Sequence, residues 1–357
     1  MSNHPGEDLG AGEYCKAEST DHPCVTGAAV GQHDRMRFVE VEGARVSVIG
    51  LGCWQFGSSD WGYGEDYART EAHAIVNRAL DLGVNLVDTA EIYAYGRSER
   101  IVGEAIRGRR DEVFLATKLF PVMPLAAMVE QRARASARRL GVDTIDLYQV
   151  HWPNPVVPNG PTMDGMRRVI DAGLVRYAGV SNFPLARWED AERRLGRPVI
   201  SNQVQYSLAQ RKPERDLLPY AQRAGRVVIA YSPLAQGLLS GRYDGTSPPK
   251  GWVRRGNALF LPENVARASE LLNALRQVAK KHEATPAQVA LAWVIRRPNV
   301  VAIPGASSVA QLESNVAAAE LELSNDDDAL LTDASDRFEP KKGPSTVPAL
   351  ARAMLGR

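Results

Sequence analysis

Several apolar stretches of this sequence end in a polar side chain that could take part in catalysis. Asp88, Lys118, His151 and Ser181 each end such a stretch. Successive members lie about 30 residues apart, the combined length of a strand, a helix and two loops. Because the carboxyl ends of parallel strands meet at one edge of a sheet, the spacing predicts that these side chains converge on one site.

Tyr93, five residues after Asp88, adds a proton donor to this group. A free tyrosine has a pKa of about 10 and is a weak acid at neutral pH. A nearby ammonium favours the phenolate, so Lys118 is expected to lower the pKa of Tyr93. Asp88 would keep Lys118 charged and oriented, and His151 would contact the same substrate oxygen. Such a group can protonate a developing alkoxide, while the hydride of a carbonyl reduction must come from a cofactor.

Each of these residues also has an ordinary structural explanation. An Asp after a strand often caps a helix, a Lys often faces solvent, and a lone His is often structural. The combination of Asp88, Lys118 and His151 at successive strand ends, with Tyr93 close by, is hard to explain as unrelated caps. The set as a whole therefore favours a catalytic site.

The elements that must position this group alternate between strands and helices. The apolar runs are short and rich in β-branched residues, which suits strands buried on both faces. A hairpin is predicted around Gly43, from residues 37–42 and 44–48. The eight predicted strands of the main sheet are residues 46–50, 84–88, 113–118, 145–151, 175–181, 199–205, 227–232 and 300–305.

Helices are predicted between these strands from apolar spacing and capping signals. Residues 70–82 place four apolar side chains on one face, and Gly83 then ends the helix. Thr285 is an N-cap followed by proline, and residues 308–311 form a capping-box pattern. Further helices are predicted at residues 125–140 and 162–172, with a final polar-capped helix at residues 324–335.

This alternation fits either a doubly wound open sheet or a closed barrel. An open sheet that binds a dinucleotide would need a glycine fingerprint after its first strand. Residues 50–57 do not supply it, because Trp54 and Gln55 precede Gly57. The fold class predicted is therefore α/β, a (β/α)₈ TIM barrel with a short N-terminal hairpin and a C-terminal extra helix. Residues 36–340 would form this single domain, flanked by a flexible tail at 1–35 and a C-terminal tail at 341–357.

Composition excludes several other functions. A chain of 357 residues that is 44% hydrophobic can bury a large core. Its net charge of +1 gives no electrostatic argument for nucleic acid or a membrane surface. No signal peptide and no apolar run of about 20 residues is visible. Three cysteines, at 15, 24 and 53, argue against a disulfide framework and predict the cytoplasm. The Cys and His residues of the first 35 match no compact ligand pattern, so no metal is predicted.

The motifs around the polar strand ends resemble the aldo-keto reductase superfamily over roughly residues 37–340. Residues 85–93, Lys118 and the Gln149-Val-His151 segment are similar to its catalytic tetrad, with the expected spacing. The resemblance implies an NADPH-dependent oxidoreductase that reduces aldehydes or ketones to alcohols. It assigns catalytic roles to Asp88, Tyr93, Lys118 and His151, with Tyr93 as general acid.

The same resemblance assigns a cofactor site. Ser181, Asn182 and Gln203 would hold the nicotinamide carboxamide, Tyr231 would stack on its ring, and Arg242 would meet a phosphate. Strand-end packing at Tyr231 and simple capping at residues 308–311 are the ordinary alternatives. The full set of cofactor residues is Cys53, Trp54, Asp88, Ser181, Asn182, Gln203, Tyr231, Ser232, Pro233, Leu234, Gln236, Arg242, Gly305, Ser307, Gln311 and Asn315.

One departure bears on the choice of cofactor. Many family members carry a Lys-Ser pair where this chain has Gly305-Ala306, so positive charge is absent where a 2′-phosphate would lie. The Gly-Ala-Ser-Ser variant nevertheless resembles the β subunits of voltage-gated potassium channels, which hold NADP. Arg242, together with Arg254 or Arg255, could supply the charge. NADPH is predicted, with NADH as an alternative.

Three readings of the function follow. The first is a reductase of small-molecule carbonyl compounds, and the second is a nicotinamide-binding regulatory module with little turnover. His151 favours the enzyme, since such modules generally lack that residue. The third is the same enzyme acting in the oxidative direction. Trp54, Trp61 and Trp152 lie in loops expected to shape the substrate pocket, which favours apolar or aromatic carbonyls unless these side chains only pack the loops. The sequence leaves the oligomeric state open.

Overall fold

A computed structural model describes residues 36–58, 65–243 and 252–354 of the chain. The tail predicted at residues 1–35 and Trp61 lie outside the described residues. Eight parallel strands form one sheet in chain order, each paired with the next. A parallel bridge between Ile49 and Ala302 joins the two ends of this sheet. The predicted (β/α)₈ barrel is therefore confirmed.

The barrel strands are short and almost fully buried, as their apolar sequences require. The longest have seven residues and the first has two. The barrel strands are β3 (Leu51–Gly52), β4 (Leu86–Asp88), β5 (Phe114–Leu119), β6 (Ile145–Val150), β7 (Val175–Ser181), β8 (Val199–Gln205), β9 (Val227–Tyr231) and β10 (Val300–Ala302).

Helices surround the sheet and pack their apolar faces against its outer side. Leu, Val and Ala side chains of the helices form one continuous buried cluster with the outward-facing side chains of the strands. The helices are α1 (Glu65–Asp81), α2 (Arg97–Ala105), α3 (Ala126–Leu140), α4 (Asn159–Asp171), α5 (Leu185–Leu195), α6 (Leu217–Ala224), α7 (Trp252–Arg255), α8 (Pro262–Arg267), α9 (Ser269–Lys281), α10 (Pro286–Ile295), α11 (Val309–Ala317), α12 (Asn325–Asp336) and α13 (Val347–Met354).

The predicted hairpin is confirmed and lies under the amino end of the barrel. Strands β1 (Phe38–Val41) and β2 (Ala44–Ser47) pair antiparallel across a two-residue turn. Both turn residues, Glu42 and Gly43, have positive φ angles of 47° and 79°, which matches the twist of a tight hairpin. Its apolar side chains join those of the barrel interior in a second buried cluster. The hairpin thus closes one end of the barrel.

The first barrel strand lies farther along the chain than predicted. The run at residues 46–50 was expected to be that strand, but its first two residues belong to β2 and the barrel strand is Leu51–Gly52. Gly50 lies in the bend between them, where a Cβ atom would stand 2.8 Å from Leu86. An apolar pattern continues through such a bend, so hydrophobicity alone cannot divide the two strands.

The capping signals were mostly confirmed, with one shift in register. Thr285 and Ser324 both form complete capping boxes at the starts of α10 and α12. Ser308 accepts from the amide of Gln311, but the Gln311 side chain returns to Ser307 instead of Ser308. The predicted box at residues 308–311 is therefore half formed.

The helix at residues 324–335 is not the final one. The stretch expected as a C-terminal tail contains α13, which lies against α7. Its connection to the domain includes two hydrogen bonds between the Asn264 side chain and the backbone of Lys341, of 2.8 and 3.0 Å. No helix in the described parts of the chain has the length and apolar character needed to cross a membrane.

Candidate active site

The polar residues singled out by the sequence lie together at the carboxyl end of the barrel. Asp88 ends β4, Lys118 lies near the end of β5, His151 follows β6, and Ser181 ends β7. Parallel pairing brings their strands into adjacent register, with Lys118 opposite Gln149 and Ser181 opposite Gln203. The convergence predicted from the 30-residue spacing is therefore present in the fold.

The Lys118 ammonium is the centre of the group and is fully buried. Its Nζ atom donates to Asp88 Oδ1 at 2.5 Å, to the carbonyl oxygen of Thr89 at 2.8 Å and to the Tyr93 hydroxyl at 3.2 Å. An ammonium has three donors, so all three are used. Lys118 is held in one position, with one of its hydrogens directed at the Tyr93 oxygen.

Tyr93 lies on a distorted turn that follows β4. The turn covers Tyr93–Gly96, and both Ala94 and Tyr95 have positive φ angles, of 46° and 56°. Non-glycine residues adopt this region at a cost of about 1–3 kcal/mol each, and such strain collects at functional sites. The strained turn brings the phenol ring over Lys118, whose Nζ atom lies 4.9 Å from the ring centroid.

Burial controls the protonation of both residues. Burial lowers the pKa of Lys118, but Asp88 and Tyr93 together outweigh burial and leave that pKa above its ordinary value. Burial raises the pKa of Tyr93, and the Lys118 charge offsets only part of that rise. Lys118 lowers the pKa of Tyr93 as expected, but the larger effect of burial leaves that pKa above the value of a free tyrosine. Tyr93 keeps its proton at neutral pH, as a proton donor must.

His151 stands beside Tyr93 as a neutral imidazole. Burial, followed by the positive charge of Lys118, lowers the pKa of His151 to about 3. Its ring stacks on Trp152 at 3.9 Å between centroids and meets Tyr93 edge-on at 5.9 Å. Within the described part of the chain its buried Nδ1 atom has no hydrogen-bond partner. The imidazole can therefore offer a neutral polar contact to a substrate.

The lowered pKa of His151 predicts a pH-dependent stability. An unfolded chain protonates this residue below about pH 6.5, whereas the folded chain stays neutral down to about pH 3. Stability is therefore lost as the pH falls from about 6.5 towards 3, and this residue should lower the unfolding free energy by about 2 kcal/mol between pH 7 and pH 5. Urea unfolding of wild type and His151→Gln at both pH values measures this contribution. His73→Gln, at a half-exposed site, is the control, and an equal pH slope in wild type and His151→Gln would contradict the prediction.

Two glutamine side chains hold the other oxygen of Asp88. Gln203 donates to Asp88 Oδ2 at 2.8 Å and Gln149 donates to the same atom at 3.3 Å. Both amides are buried. Gln149 lay within a recognised motif but had no role assigned to it. A buried-strand sequence that carries an amide two residues before His151 was the signal in the sequence.

The residues expected to hold the nicotinamide form a connected group beside the tetrad. Ser181 Oγ donates to the Gln203 carbonyl at 2.9 Å, and Asn182 Nδ2 donates to Ser181 Oγ at 3.0 Å. The Tyr231 hydroxyl donates to Asn182 Oδ1 at 2.9 Å. Asn182 has a positive φ of 60°, a strained backbone for a non-glycine residue. The structure brings all four of these predicted residues together.

The loop after β9 is strained and is tied to the segment at residues 252–260. Ser232, Ala235 and Gln236 all have positive φ angles, between 48° and 57°. Gln236 accepts from Arg254 at its backbone oxygen, at 3.0 Å, and from Asn257 at its side-chain oxygen, at 3.1 Å. Pro233 and Leu234 lie within this loop. Backbone strain of this kind is typical of ligand clamps.

Two arginines next to this loop provide positive charge. Burial lowers the pKa of Arg254, and the charge of nearby Arg242 lowers it further. Arg242 itself is exposed. An anion placed close to both guanidinium groups would relieve this repulsion and form charge-assisted hydrogen bonds. The pair therefore fits a phosphate group.

The loop after β10 contains the third predicted cofactor segment. Gln55 donates to the Ala306 carbonyl at 2.8 Å, and a Cβ atom at Gly305 would stand 2.6 Å from the Gln55 side chain. Gln311 Oε1 accepts from the amide and hydroxyl of Ser307 at 2.9 and 2.8 Å. Asn315 donates to the Gly305 carbonyl at 3.3 Å. Gln311 and Asn315 thus hold the conformation of this loop through hydrogen bonds to Ser307 and Gly305.

Aromatic side chains line the mouth of the site. Trp54 and Trp152 are each 41% exposed, and Phe120 meets Trp152 edge-on at 6.0 Å between centroids. Cys53 lies below them, fully buried, and burial raises the pKa of its thiol well above the ordinary value. Cys53 is therefore a packed, protonated thiol, whereas Trp54 and Trp152 both expose apolar surface.

Comparisons with known proteins agree with this geometry. Residues 48–336 match the model of the Aldo/keto reductase family. An uncharacterized oxidoreductase of Mycobacterium tuberculosis is 56% identical over 306 residues, which cover 85% of this chain and 94% of that protein. A methylglyoxal reductase of Escherichia coli is 36% identical over 277 residues, covering 77% of this chain and 88% of that protein.

A solved structure shows the same relationship. The aldo/keto reductase of Klebsiella pneumoniae, crystallised with NADP and acetate, shares 34% of its sequence and has a TM-score of 0.69. The match covers 86% of this chain and 97% of that one. Together with the match over most of the chain, this establishes that the protein is an oxidoreductase of the aldo/keto reductase family.

Proposed function

We propose that this protein reduces aldehydes or ketones to alcohols with NADPH, and that Tyr93 is the general acid. The observation that carries the proposal is the Lys118 ammonium, which donates to both Asp88 and the Tyr93 hydroxyl beside a neutral His151. A site of this composition can deliver a proton and stabilise the charge that remains.

The chemistry follows from these contacts. A substrate carbonyl oxygen accepts hydrogen bonds from the Tyr93 hydroxyl and from His151. As negative charge develops on that oxygen, Tyr93 gives up its proton, and Lys118 at 3.2 Å stabilises the phenolate that forms. Asp88 keeps Lys118 charged and oriented throughout. NADPH, when bound, supplies the hydride that reduces the carbonyl carbon.

The described residues fit a nicotinamide cofactor. Ser181, Asn182 and Tyr231 are connected by hydrogen bonds and offer polar groups beside the tetrad, as a carboxamide requires. Arg242 and Arg254 supply positive charge for a phosphate at the loop after β9. The Klebsiella relative was crystallised with NADP, which supports NADPH here.

An aldehyde assay tests the proposal directly. Purified protein is mixed with NADPH, and separately with NADH, plus an aromatic aldehyde, and the loss of reduced-nicotinamide absorbance is followed. We expect rapid loss that is faster with NADPH. Tight NADPH binding without turnover of any aldehyde or ketone would overturn it in favour of a cofactor-binding module.

Removing the exposed arginine should weaken NADPH binding selectively. Arg242→Ala should raise the Kd for NADPH by about tenfold and that for NADH much less, because a charge-assisted contact to the 2′-phosphate, which NADH lacks, contributes about 1.5–3 kcal/mol. Fluorescence titration of both cofactors measures the difference. Arg138→Ala, an exposed change on α3, is the control. Equal NADPH affinity in Arg242→Ala and wild type would remove Arg242 from the phosphate site.

The aromatic mouth supports apolar or aromatic carbonyl compounds as substrates. Trp54 and Trp152 expose large apolar surfaces there, and Trp152 also supports His151 by stacking. Aromatic side chains of this kind bind planar or apolar groups and direct the carbonyl towards the polar residues below.

A further inference from the structure

Glu91 joins the turn that carries Tyr93 to the end of β5. Its backbone amide donates to the carbonyl oxygen of Lys118 at 3.3 Å. Its side-chain carboxylate accepts from the backbone amide of Phe120. Glu91 therefore bonds to the chain on both sides of Leu119, and Tyr93 follows only two residues later. The position of the acid is set relative to both Lys118 and Phe120.

Arg132 on α3 completes this connection with a two-point ion pair. Its Nη2 atom lies 2.6 Å from Glu91 Oε1 and its Nε atom donates to Glu91 Oε2 at 3.0 Å. A third donor, Nη1, reaches the carbonyl oxygen of Val122 at 3.5 Å. The Glu91 and Arg132 side chains are only 10% and 22% exposed, so solvent screens the pair weakly.

The loop that this pair holds forms one wall of the substrate site. Phe120 meets His151 edge-on at 6.4 Å and Trp152 at 6.0 Å between ring centroids. A shift of Phe120 would therefore change the space beside the imidazole and the indole. The ion pair itself touches none of the proposed catalytic atoms.

Hydrogen bonds and an ion pair, more than burial, hold the loop at residues 120–125 in place. Val122 and Met123 are 55% and 63% exposed, so they contribute little burial. Met123 also has a positive φ of 45°, which strains the loop. Besides Glu91 and Arg132, Asn154 donates to the Pro121 carbonyl at 2.7 Å from the neighbouring loop. We therefore expect this strained, exposed loop to keep its conformation only while these hydrogen bonds and the ion pair are present.

We infer that Glu91 and Arg132 are positioning residues that set the specificity of the site. They hold Phe120 at a fixed distance from Tyr93 and so define the slot that an aromatic ring occupies. This inference rests on the proposed function, since Phe120 can set specificity only if a carbonyl substrate binds between Tyr93 and His151. A small aldehyde does not need the Phe120 wall, whereas an aromatic aldehyde does.

The test compares two aldehydes in matched variants. Glu91→Gln keeps the shape of the side chain and an acceptor for Phe120 but loses the ion pair, and Arg132→Met removes it from the other side. In both, we expect the KM for 4-nitrobenzaldehyde to rise about tenfold and the KM for propanal to rise far less. Glu130→Gln is the control, because it breaks an exposed pair between α3 and α4, with Arg168, that lies outside the site.

A second measurement does not depend on turnover. Hydrogen exchange of the backbone amides of Phe120, Val122, Met123 and Leu125 should be faster in Glu91→Gln and Arg132→Met than in wild type or Glu130→Gln. If the wild-type protein reduced neither aldehyde, the proposed function would be wrong. Hydrogen exchange would still test whether the Glu91–Arg132 ion pair holds the loop. Unchanged exchange, or an equal rise in KM for both aldehydes, would overturn the positioning role.

Discussion

Tyr93→Phe should lower kcat by about 10²–10⁴-fold while leaving the Kd for NADPH almost unchanged. The substitution keeps the ring that lies over Lys118 but removes the hydroxyl at 3.2 Å from its ammonium. Without that proton donor the developing alkoxide must take its proton from water. Single-turnover reduction of an aromatic aldehyde and fluorescence titration of NADPH together measure the two effects.

The chain contains a close control for this change. Tyr95 lies two residues away on the same strained turn but is 97% exposed, so Tyr95→Phe should leave kcat close to that of wild type. Activity near the wild-type level in Tyr93→Phe would show that another group donates the proton. A large rise in the NADPH Kd would show instead that the change disturbs the cofactor site.

Lys118→Met should abolish most activity and also destabilise the fold. It leaves the buried Asp88 carboxylate without its cation, and removing one partner of a buried ion pair costs about 3–5 kcal/mol. The amides of Gln203 and Gln149 still donate to Asp88 Oδ2, which places the loss towards the lower end of that range. Urea unfolding at neutral pH measures the stability change, and the aldehyde assay measures the activity.

A double variant separates stability from chemistry. Adding Asp88→Asn to Lys118→Met removes the unpaired charge, so the double variant should recover part of the lost stability and none of the lost activity. If the double variant were as unstable as the sum of the two single changes, the pair would not act as a unit. Additive losses would mean that Asp88 and Lys118 contribute to the unfolding free energy independently.

The location of the site was predictable because strand ends carry a clear signal. A buried parallel strand is apolar, so a charged residue at its end stands out from the sequence around it. Regular spacing then places Asp88, Lys118 and His151 on successive strands. The closed barrel followed from the number of strands and from the lack of a glycine fingerprint after the first one.

Features that depend on three-dimensional packing could not be predicted in this way. The pKa of Tyr93 is raised because burial outweighs the charge of Lys118, and a sequence does not state how deeply a hydroxyl is buried. The first barrel strand was misplaced because an apolar pattern continues through the bend at Gly50. α13 escapes prediction because it follows a polar stretch after α12.

Contacts between residues far apart in the sequence could not be predicted either. Glu91 and Arg132 are 41 residues apart, and each looks like an ordinary surface charge in the sequence. The two glutamines on Asp88 come from β6 and β8, which the curvature of the sheet brings close to it. The tail at residues 1–35, the domain limits at 36 and 340 and the cytoplasmic location stay predictions.

The bridge between Ile49 and Ala302 has a consequence for synthesis on the ribosome. Residue 302 is added about 250 residues after β3, which takes roughly 12–50 s at usual translation rates. Until then β3 has no second neighbour, and the growing chain presents an open strand edge that could pair with another chain. Gln55 and Ala306, which follow β3 and β10, form their hydrogen bond only after this delay. Stabilisation of the barrel by NADPH through mass action therefore requires the segment after β10, which is made late.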